Sequence, residues 1–411
     1  MKNVLVIGAG RGQIPVINLC HNYGCYVYVV SPKGEYPGFD IADDCLYTDV
    51  RNYDEILSFA KERNITAVLT DQLDVGVYTA AYISEKMGLR GITTSVAKKF
   101  TDKYIMRENA EKAGISVPKH VVVNNNSDLN DSVKELSFPL MMKPVDSDAS
   151  RGVYKVDSVQ EIREKISSSL SYSKNGNVIL EEFIEGKEYV VEAYTREHIV
   201  NNLIVGHREY FDIPNTFIPN ATVFCDALSA TSILEARLKE TNVRLVNAFG
   251  LPFGITHAEY IYNEIEDKIY LVEIAARGGG VFISSDLIPL ACGIDANDLF
   301  VKEVLGIPYM TDLAIKKGAS AYFCYLTPEG VVDKIEHTEE INDIDGVYRA
   351  FFDNIKLGTS TQSIRDKSSR KGPILVYGKN KAECYNIISK VKKRLDIQIR
   401  TSTGMQPIIW N

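Results

Sequence analysis

No C-x-x-C pair occurs in this sequence, and its seven cysteines, at 20, 25, 45, 225, 292, 324 and 384, are scattered and odd in number. That pattern does not make a disulfide framework and reads as reduced thiols in a cytosolic protein. The six histidines are dispersed with no H-E-x-x-H, which argues against a zinc site. No Lys/Arg-rich block is present and the net charge is −8, which argues against nucleic acid as a partner, since backbone phosphates need a basic surface. No apolar run approaches the ~18 residues of a membrane span. The N-terminus passes from Met-Lys-Asn straight into a strand without a signal-peptide core, and there are no repeats or low-complexity tracts. We expect a cytoplasmic protein.

What is there is an ordinary globular composition, 45% hydrophobic and 24% charged over 411 residues, enough for two or three domains. Val4–Ile7, Tyr26–Val30 and Ala67–Thr70 read as strands alternating with helices to His21, over Asp54–Arg63 and over Val77–Met87. This alternation predicts a doubly wound parallel sheet over roughly the first 95 residues. Gly8-Ala-Gly-Arg-Gly12 follows the first strand, but Gln13 stands where a dinucleotide loop needs its third glycine. Ser31 stands where the ribose-binding acid belongs. The glycines are read as a tight turn whose helix N-terminus can touch an anion.

Thr101 is the expected N-cap of a helix closing at Gly114, with Lys103 in its first turn. Phe138–Val145 is an apolar strand with one charge inside, Lys143. An edge lysine guarding against aggregation accounts for it as well as a binding lysine does. The small-residue loop Asp146–Gly152 that follows favours a phosphate clamp of ammonium, amides and hydroxyls. Val178–Ile184 and Lys187–Thr195 are strands broken at Glu185-Gly186. Ile199–Tyr210 carries His207 and Arg208, and Phe211–Cys225 reads as a long irregular stretch suited to substrate selection. Leu228–Phe249, Ser284–Leu290, Asn297–Leu305 and Lys381–Leu395 are expected helices.

The densest signal is Thr256–Gly280. Thr256–Tyr262 and Lys268–Ile274 form a hairpin about Glu266, whose regular register pairs Ile261 with Leu271 and Glu259 with Glu273. Directly opposed Cβ atoms lie about 4.5–5.5 Å apart. Two carboxylates there repel by roughly 3 kcal/mol at an effective dielectric of about 20. A hard cation between them reverses the sign, and Mg²⁺ takes carboxylate oxygens together with substrate phosphates. Arg277 and Gly278-Gly279-Gly280 follow, a planar fork and open amides suited to an anion.

These elements in this order resemble the ATP-grasp superfamily, in the branch with biotin carboxylase, carbamoyl phosphate synthetase and the L-amino acid ligases. The resemblance implies a pre-ATP-grasp α/β domain at 1–97. An ATP-grasp domain at 98–310, with a lid-like subdomain at 118–190, and a small α+β domain at 311–411 would follow. By resemblance, Lys103 and Lys143 contact phosphates, Ser147, Ser150, Arg151 and Gly152 belong to the lid, and Glu181, Glu182, Phe183 and Ile184 border the adenine. Glu188 matches the ribose acid, Glu259 and Glu273 the Mg²⁺ (or Mn²⁺) ligands, and Arg277 the arginine that stabilises the transferred phosphate; Lys143 matches the lysine on the α- and β-phosphates, and Arg277 and Lys143 are the catalytic candidates. His207, Arg208, Gly279 and Gly280 are candidates for substrate contacts. The lid has serines and aspartates where the family is Gly-rich, and Ala275 replaces a metal-binding Asn of many members. The implied activity is an ATP-dependent carboxylate–amine ligase, with small-molecule acid and amine substrates, acting through an acyl phosphate. A bicarbonate- or purine-pathway-type ligase and a nucleotide-binding module without turnover are the alternatives. No biotin-carrier Met-Lys-Met segment is present. Folds of this kind often form homodimers.

Overall fold

The computed structural model describes residues 1–147, 151–213, 216–225, 233–310 and 313–411. Strands β1 (Asn3–Ile7), β2 (Tyr26–Ser31), β3 (Asp44–Tyr47) and β4 (Ala67–Leu69) form a parallel sheet in the order β3-β2-β1-β4. β1 and β2 are almost continuously apolar because both faces are covered. One face packs Ile56, Ala60 and Ile83 from the helices Tyr53–Glu62 and Asp74–Met87. The other packs Val16 and Ile17 of the helix Ile14–Asn22, together with Val301, Val304 and Leu305 of the helix Ala296–Leu305. A helix from more than two hundred residues downstream thus finishes the first sheet. β3, polar at its start, was not expected.

A second sheet holds β5 (His120–Val123), β6 (Leu140–Pro144), β7 (Tyr154–Val156) and β8 (Val178–Glu182), ordered β5-β8-β6-β7. β6, the strand of Lys143, is therefore interior, and the edge-lysine explanation falls. Next come β9 (Lys187–Arg196), β10 (Ile199–Tyr210), β11 (Pro219–Cys225), β12 (Phe253–Asn263), β13 (Lys268–Ala275) and β14 (Ala319–Tyr325). The C-terminal segment adds β15 (Gly330–Glu336), β16 (Val347–Ala350), β17 (Ser360–Thr361), β18 (Lys371–Gly378), β19 (Asp396–Thr401) and β20 (Gly404–Pro407). Eight of these make one antiparallel sheet, β13-β12-β9-β10-β11-β14-β18-β16, and the rest a small one, β17-β15-β19-β20. The expected irregular stretch Phe211–Cys225 is corrected at its end: Pro219–Cys225 is a central strand between β10 and β14. Its alternation was hidden by Pro219 and Asn220.

Two further expectations are corrected. The helix bearing Lys103 is capped by Asp102, whose carboxylate accepts from the Tyr104 and Ile105 N–H groups at 3.0 Å. Thr101 instead ends the preceding helix, its hydroxyl donating to the Ala97 carbonyl. The β12–β13 hairpin is not regular. Glu259 faces Glu273 as expected, but a bulge follows, so that Tyr260 pairs with Leu271 and Ile261 with Tyr270. Strict alternation would put Glu273 on the face of Ile269 and Leu271, which is core. The extra residue, Val272, turns Glu273 to the opposite face beside Glu259. The core face packs Ala258, Tyr260, Ile269, Leu271 and Ile274 under the helix Ile233–Phe249. No described helix is long and apolar enough to cross a membrane.

Candidate active site

A cavity of about 600 Å³ lies between the β5–β8 sheet and the open face of the β12–β13 hairpin. The helix Lys103–Lys112 sets one wall. Asp102 fixes its first turn, and the Lys103 backbone N–H donates to the Val145 carbonyl at 2.9 Å. The Lys103 ammonium then donates to the Ser147 carbonyl at 2.7 Å and pairs with Glu273 at 3.0 Å. Burial pulls its pKa down, but Glu273 outweighs that and raises it.

On β6, Leu140 and Met142 point into the core while Met141 and Lys143 face the cavity. Lys143 is held at 2.6 Å by Glu181, whose other oxygen accepts from Arg107 Nε at 2.6 Å. Arg107 also donates to the Val272 carbonyl at 2.7 Å, taking up a group that the bulge exposes. Burial alone would raise the Glu181 pKa, but the two cations hold it at about 2. Glu181 thus reaches the site through its carboxylate. Its backbone lies in the ladder between β5 and β6. Phe183 and Ile184, past the end of β8, do line the cavity, as does Glu182, which accepts from the Ser137 N–H at 2.9 Å.

Across the cavity Glu259 is engaged by Arg208 at 2.7 Å and by His257 Nε2 at 3.1 Å. Burial opposes its ionisation, yet Arg208 and His257 hold it well below the carboxylate range. Arg208 also binds Glu188, which accepts in addition from the Tyr210 hydroxyl. His257 is buried and pairs through Nδ1 with Glu192, which with Glu259 overrides the effect of burial and raises it to about 9. The opposed carboxylates therefore do not depend on a metal to offset their repulsion. Each faces a protein cation, Arg208 for Glu259 and Lys103 for Glu273.

Arg277 reaches the same cavity in a bidentate pair with Asp74, at 2.9 and 2.7 Å. The loop behind it is fastened by Asp71, fully buried, which accepts from the Gly278 N–H, the Ser284 hydroxyl and the Asn297 amide at 2.8, 2.7 and 3.2 Å. Burial raises the Asp71 pKa against those three bonds.

Of the residues expected from sequence, the cavity gathers Lys103, Lys143, Ser147, Arg151, Glu181–Ile184, Glu188, Arg208, Glu259, Glu273, Arg277 and Gly280. Three lie elsewhere. His207 faces the other side of β10, against Lys381 and the Tyr189 ring, because it neighbours Arg208 on a strand. Gly152 is buried beneath Tyr172 and Pro144 at φ +70°, a turn position and not a donor at the cavity. Gly279 packs below the floor, where a Cβ would stand 2.8 Å from His257 Nδ1, so its service is close packing. Ser150 lies outside the described residues. The sequence reading missed Arg107, Asp71, Asp74 and His257, and the turn carrying Asp366, Lys367, Ser368 and Arg370. Eight Lys and Arg against seven Asp and Glu line the cavity, a local excess of positive charge in a chain of net −8.

Residues 136–286 match the ATP-grasp domain family. Over 241 residues, 57% of this chain and 22% of the relative, the sequence is 24% identical to the carbamoyl phosphate synthase large chain of Campylobacter jejuni. It is 26% identical over 202 residues to D-alanine--D-alanine ligase B of Pseudomonas putida, 48% of this chain and 61% of that one. The aligned part is thus less than two thirds of either relative's length. The fold is similar to that of the L-amino acid ligase from Bacillus licheniformis, with a TM-score of 0.80 at 20% identity, covering 98% of this chain and 99% of the other.

Proposed function

Residues 136–286 of this chain are an ATP-grasp domain, and from that premise we propose an ATP-dependent carboxylate–amine ligase that releases ADP and phosphate. One observation carries the proposal: Glu259 and Glu273, opposed on the hairpin, open into the same cavity as Lys143, Lys103 and Arg277. Hard carboxylate oxygens, each held by a cation that a dication would displace, fit Mg²⁺ or Mn²⁺. Ala275 is buried and brings no third donor, so Glu259 and Glu273 would hold the metal. The bound metal would supply charge neutralisation at the triphosphate.

The chain's own groups suit the rest of the chemistry. Phosphoryl transfer asks for positioning and for cations fixed where negative charge moves. Lys143 is held by Glu181, Lys103 by its helix cap, and Arg277 by Asp74, so three cations stand at fixed places before substrate arrives. In the proposed reaction a substrate carboxylate attacks the γ-phosphorus of ATP and ADP leaves. The amine then attacks the acyl phosphate carbon and expels phosphate, losing its proton to solvent. Phe183, Ile184 and Glu188 would border the nucleoside.

The test is ADP release from ATP and Mg²⁺ over a matrix of carboxylates and amines. Release that requires both partners is the expected result. AMP and pyrophosphate in place of ADP would overturn the acyl-phosphate scheme. Nucleotide binding without turnover over the whole matrix would favour a binding module, the reading that the missing donor at Ala275 supports.

A further inference from the structure

In a doubly wound sheet a ligand binds at the switch point, in the crevice beyond the C-terminal ends of the strands where the strand order reverses. With the order β3-β2-β1-β4, that crevice lies between β1 and β4. Here protein groups fill it. The Gln13 side chain accepts from the Gly10 N–H at 2.9 Å and donates to the Asp71 carbonyl. Asp71 and Gln72, just past the end of β4, take hold of the loop 278–284 of the ATP-grasp domain. Asp71 binds its two ends, at the Gly278 N–H and the Ser284 hydroxyl. Gln72 binds its middle: Oε1 accepts from the Phe282 N–H at 3.2 Å, while Nε2 donates to the Gly12 carbonyl at 3.3 Å. A Cβ at Gly12 would stand 2.9 Å from the Gln72 Cβ, so the glycine turn after β1 leaves just enough room for this residue.

The same contact joins three backbone outliers. Gln72 has φ +54°, Val281 +61° and Phe282 +60°. Positive φ is uncommon without glycine, and for a β-branched residue it is a genuine outlier. A glycine at 281 would take that φ without strain, yet the chain imposes it on valine directly after three glycines. Such conformations persist only where the surroundings over-determine them, and they cluster at functional sites. The surroundings are plain at Phe282. Its N–H goes to Gln72, its carbonyl accepts from the Asp286 and Leu287 N–H groups at 3.0 Å each, and its ring stacks on Phe351 at 4.9 Å. Gly280, Val281 and Ile283 line the cavity beside Arg277, so the strained turn is part of the cavity wall.

We propose that Gln72 is a positioning residue for the reaction. From the crevice of the N-terminal sheet it holds the Val281–Phe282 turn, and with it the wall against which the substrate carboxylate lies when it attacks ATP. The inference rests on the ligase reading. The N-terminal sheet then serves the chemistry by placing a loop, in the crevice where such sheets otherwise take a ligand.

Two variants and two readouts test this. Gln72→Asn keeps an amide and takes positive φ more readily than glutamine, but falls one methylene short of Phe282. Gln72→Met keeps the length and loses the acceptor. In both, hydrogen exchange at the Phe282 amide is expected to quicken, and kcat/KM for the carboxylate substrate, read by ADP release, to fall about 10- to 100-fold. The KM for ATP is expected to stay unchanged, and an unaltered unfolding midpoint in Gln72→Asn is the check on folding. Full kcat/KM in Gln72→Asn would make residue 72 a turn former only and overturns the proposal. A raised KM for ATP overturns it by placing Gln72 on the nucleotide. Lost turnover with the Phe282 amide still protected overturns it by placing Gln72 on the substrate itself. Each of these leaves the ligase reading standing. Absence of ADP release from the unsubstituted protein with every acid and amine overturns that reading and the positioning role together.

Discussion

At the scale of single residues, the Arg107–Glu181–Lys143 triad decides most. Glu181 and Arg107 are fully buried, so removing the shared anion leaves a guanidinium without a counter-charge. Breaking a buried pair in this way costs about 3–5 kcal/mol. Glu181→Gln is therefore expected to lose about that much stability, read from the denaturant midpoint. The pH dependence has a definite sign. The Glu181 pKa is lowered from 4.5 to about 2, so its contribution is complete above 4.5 and is lost as pH falls through about 2. That part of the acid-unfolding curve should vanish in the variant; an unchanged curve would refute the assignment. Glu273→Ala is expected to abolish ADP release while the fold persists, because Glu273 faces the cavity and not the core. Lys143 was legible in the sequence as a lone charge in an apolar strand. Its partners were not: Arg107 sits in a helix rich in polar residues, where a buried guanidinium and a solvated one look alike. Asp71 and Asp74 were equally hidden, since their partners lie about two hundred residues away in the chain.

At the scale of elements, the placement of the site depends on two local irregularities. Asp102 caps the helix that aims Lys103, and replacing such a cap by alanine costs about 1 kcal/mol. Asp102→Ala is expected to show that loss in thermal or chemical unfolding and a larger proportional loss in turnover; full activity would separate the cap from the site. The choice between Thr101 and Asp102 was not decidable from residue type, since both cap helices well. What decides it is that the preceding helix runs through Thr101. The bulge at Val272 is the second irregularity. The opposition of Glu259 and Glu273 was legible because the hairpin's turn is marked, Asn263–Asp267 being polar between two β-branched and aromatic runs. The bulge was not, because no glycine announces it. Its signature is that Ile269, Leu271 and Ile274 share a face only if one residue is skipped.

At the scale of the whole molecule, the regions expected from sequence are joined more closely than their boundaries suggest. Strands β14, β18 and β16 extend the same sheet as β9–β13, and Ala221 and Val223 of β11 share a core with Ile374 and Val376. A chain ending at residue 310 would expose the β11 edge and leave Ala221, Val223 and Cys225 without the C-terminal side chains they pack against. It is expected to aggregate in size-exclusion chromatography, and a folded monomer would contradict this account. Much of the order of elements was legible, because strand and helix periods are local, but β3 and β11 were missed behind the polar or proline-bearing residues at their starts. Sheet membership was not, because strand partners are fixed by packing across the chain.

The hairpin's two acids are already committed to Arg208 and Lys103, and this governs how ligands enter. A divalent ion arriving alone must evict both basic side chains and strand them. A polyphosphate arriving alone must draw those cations away and leave two acids uncovered. Supplied together, each newcomer takes the partner that the other releases, so each should strengthen the other's hold reciprocally. Calorimetric titration is expected to find feeble heats for ion or nucleotide singly and a strong joint response, a partner exchange in which the protein admits salt and counter-salt as one.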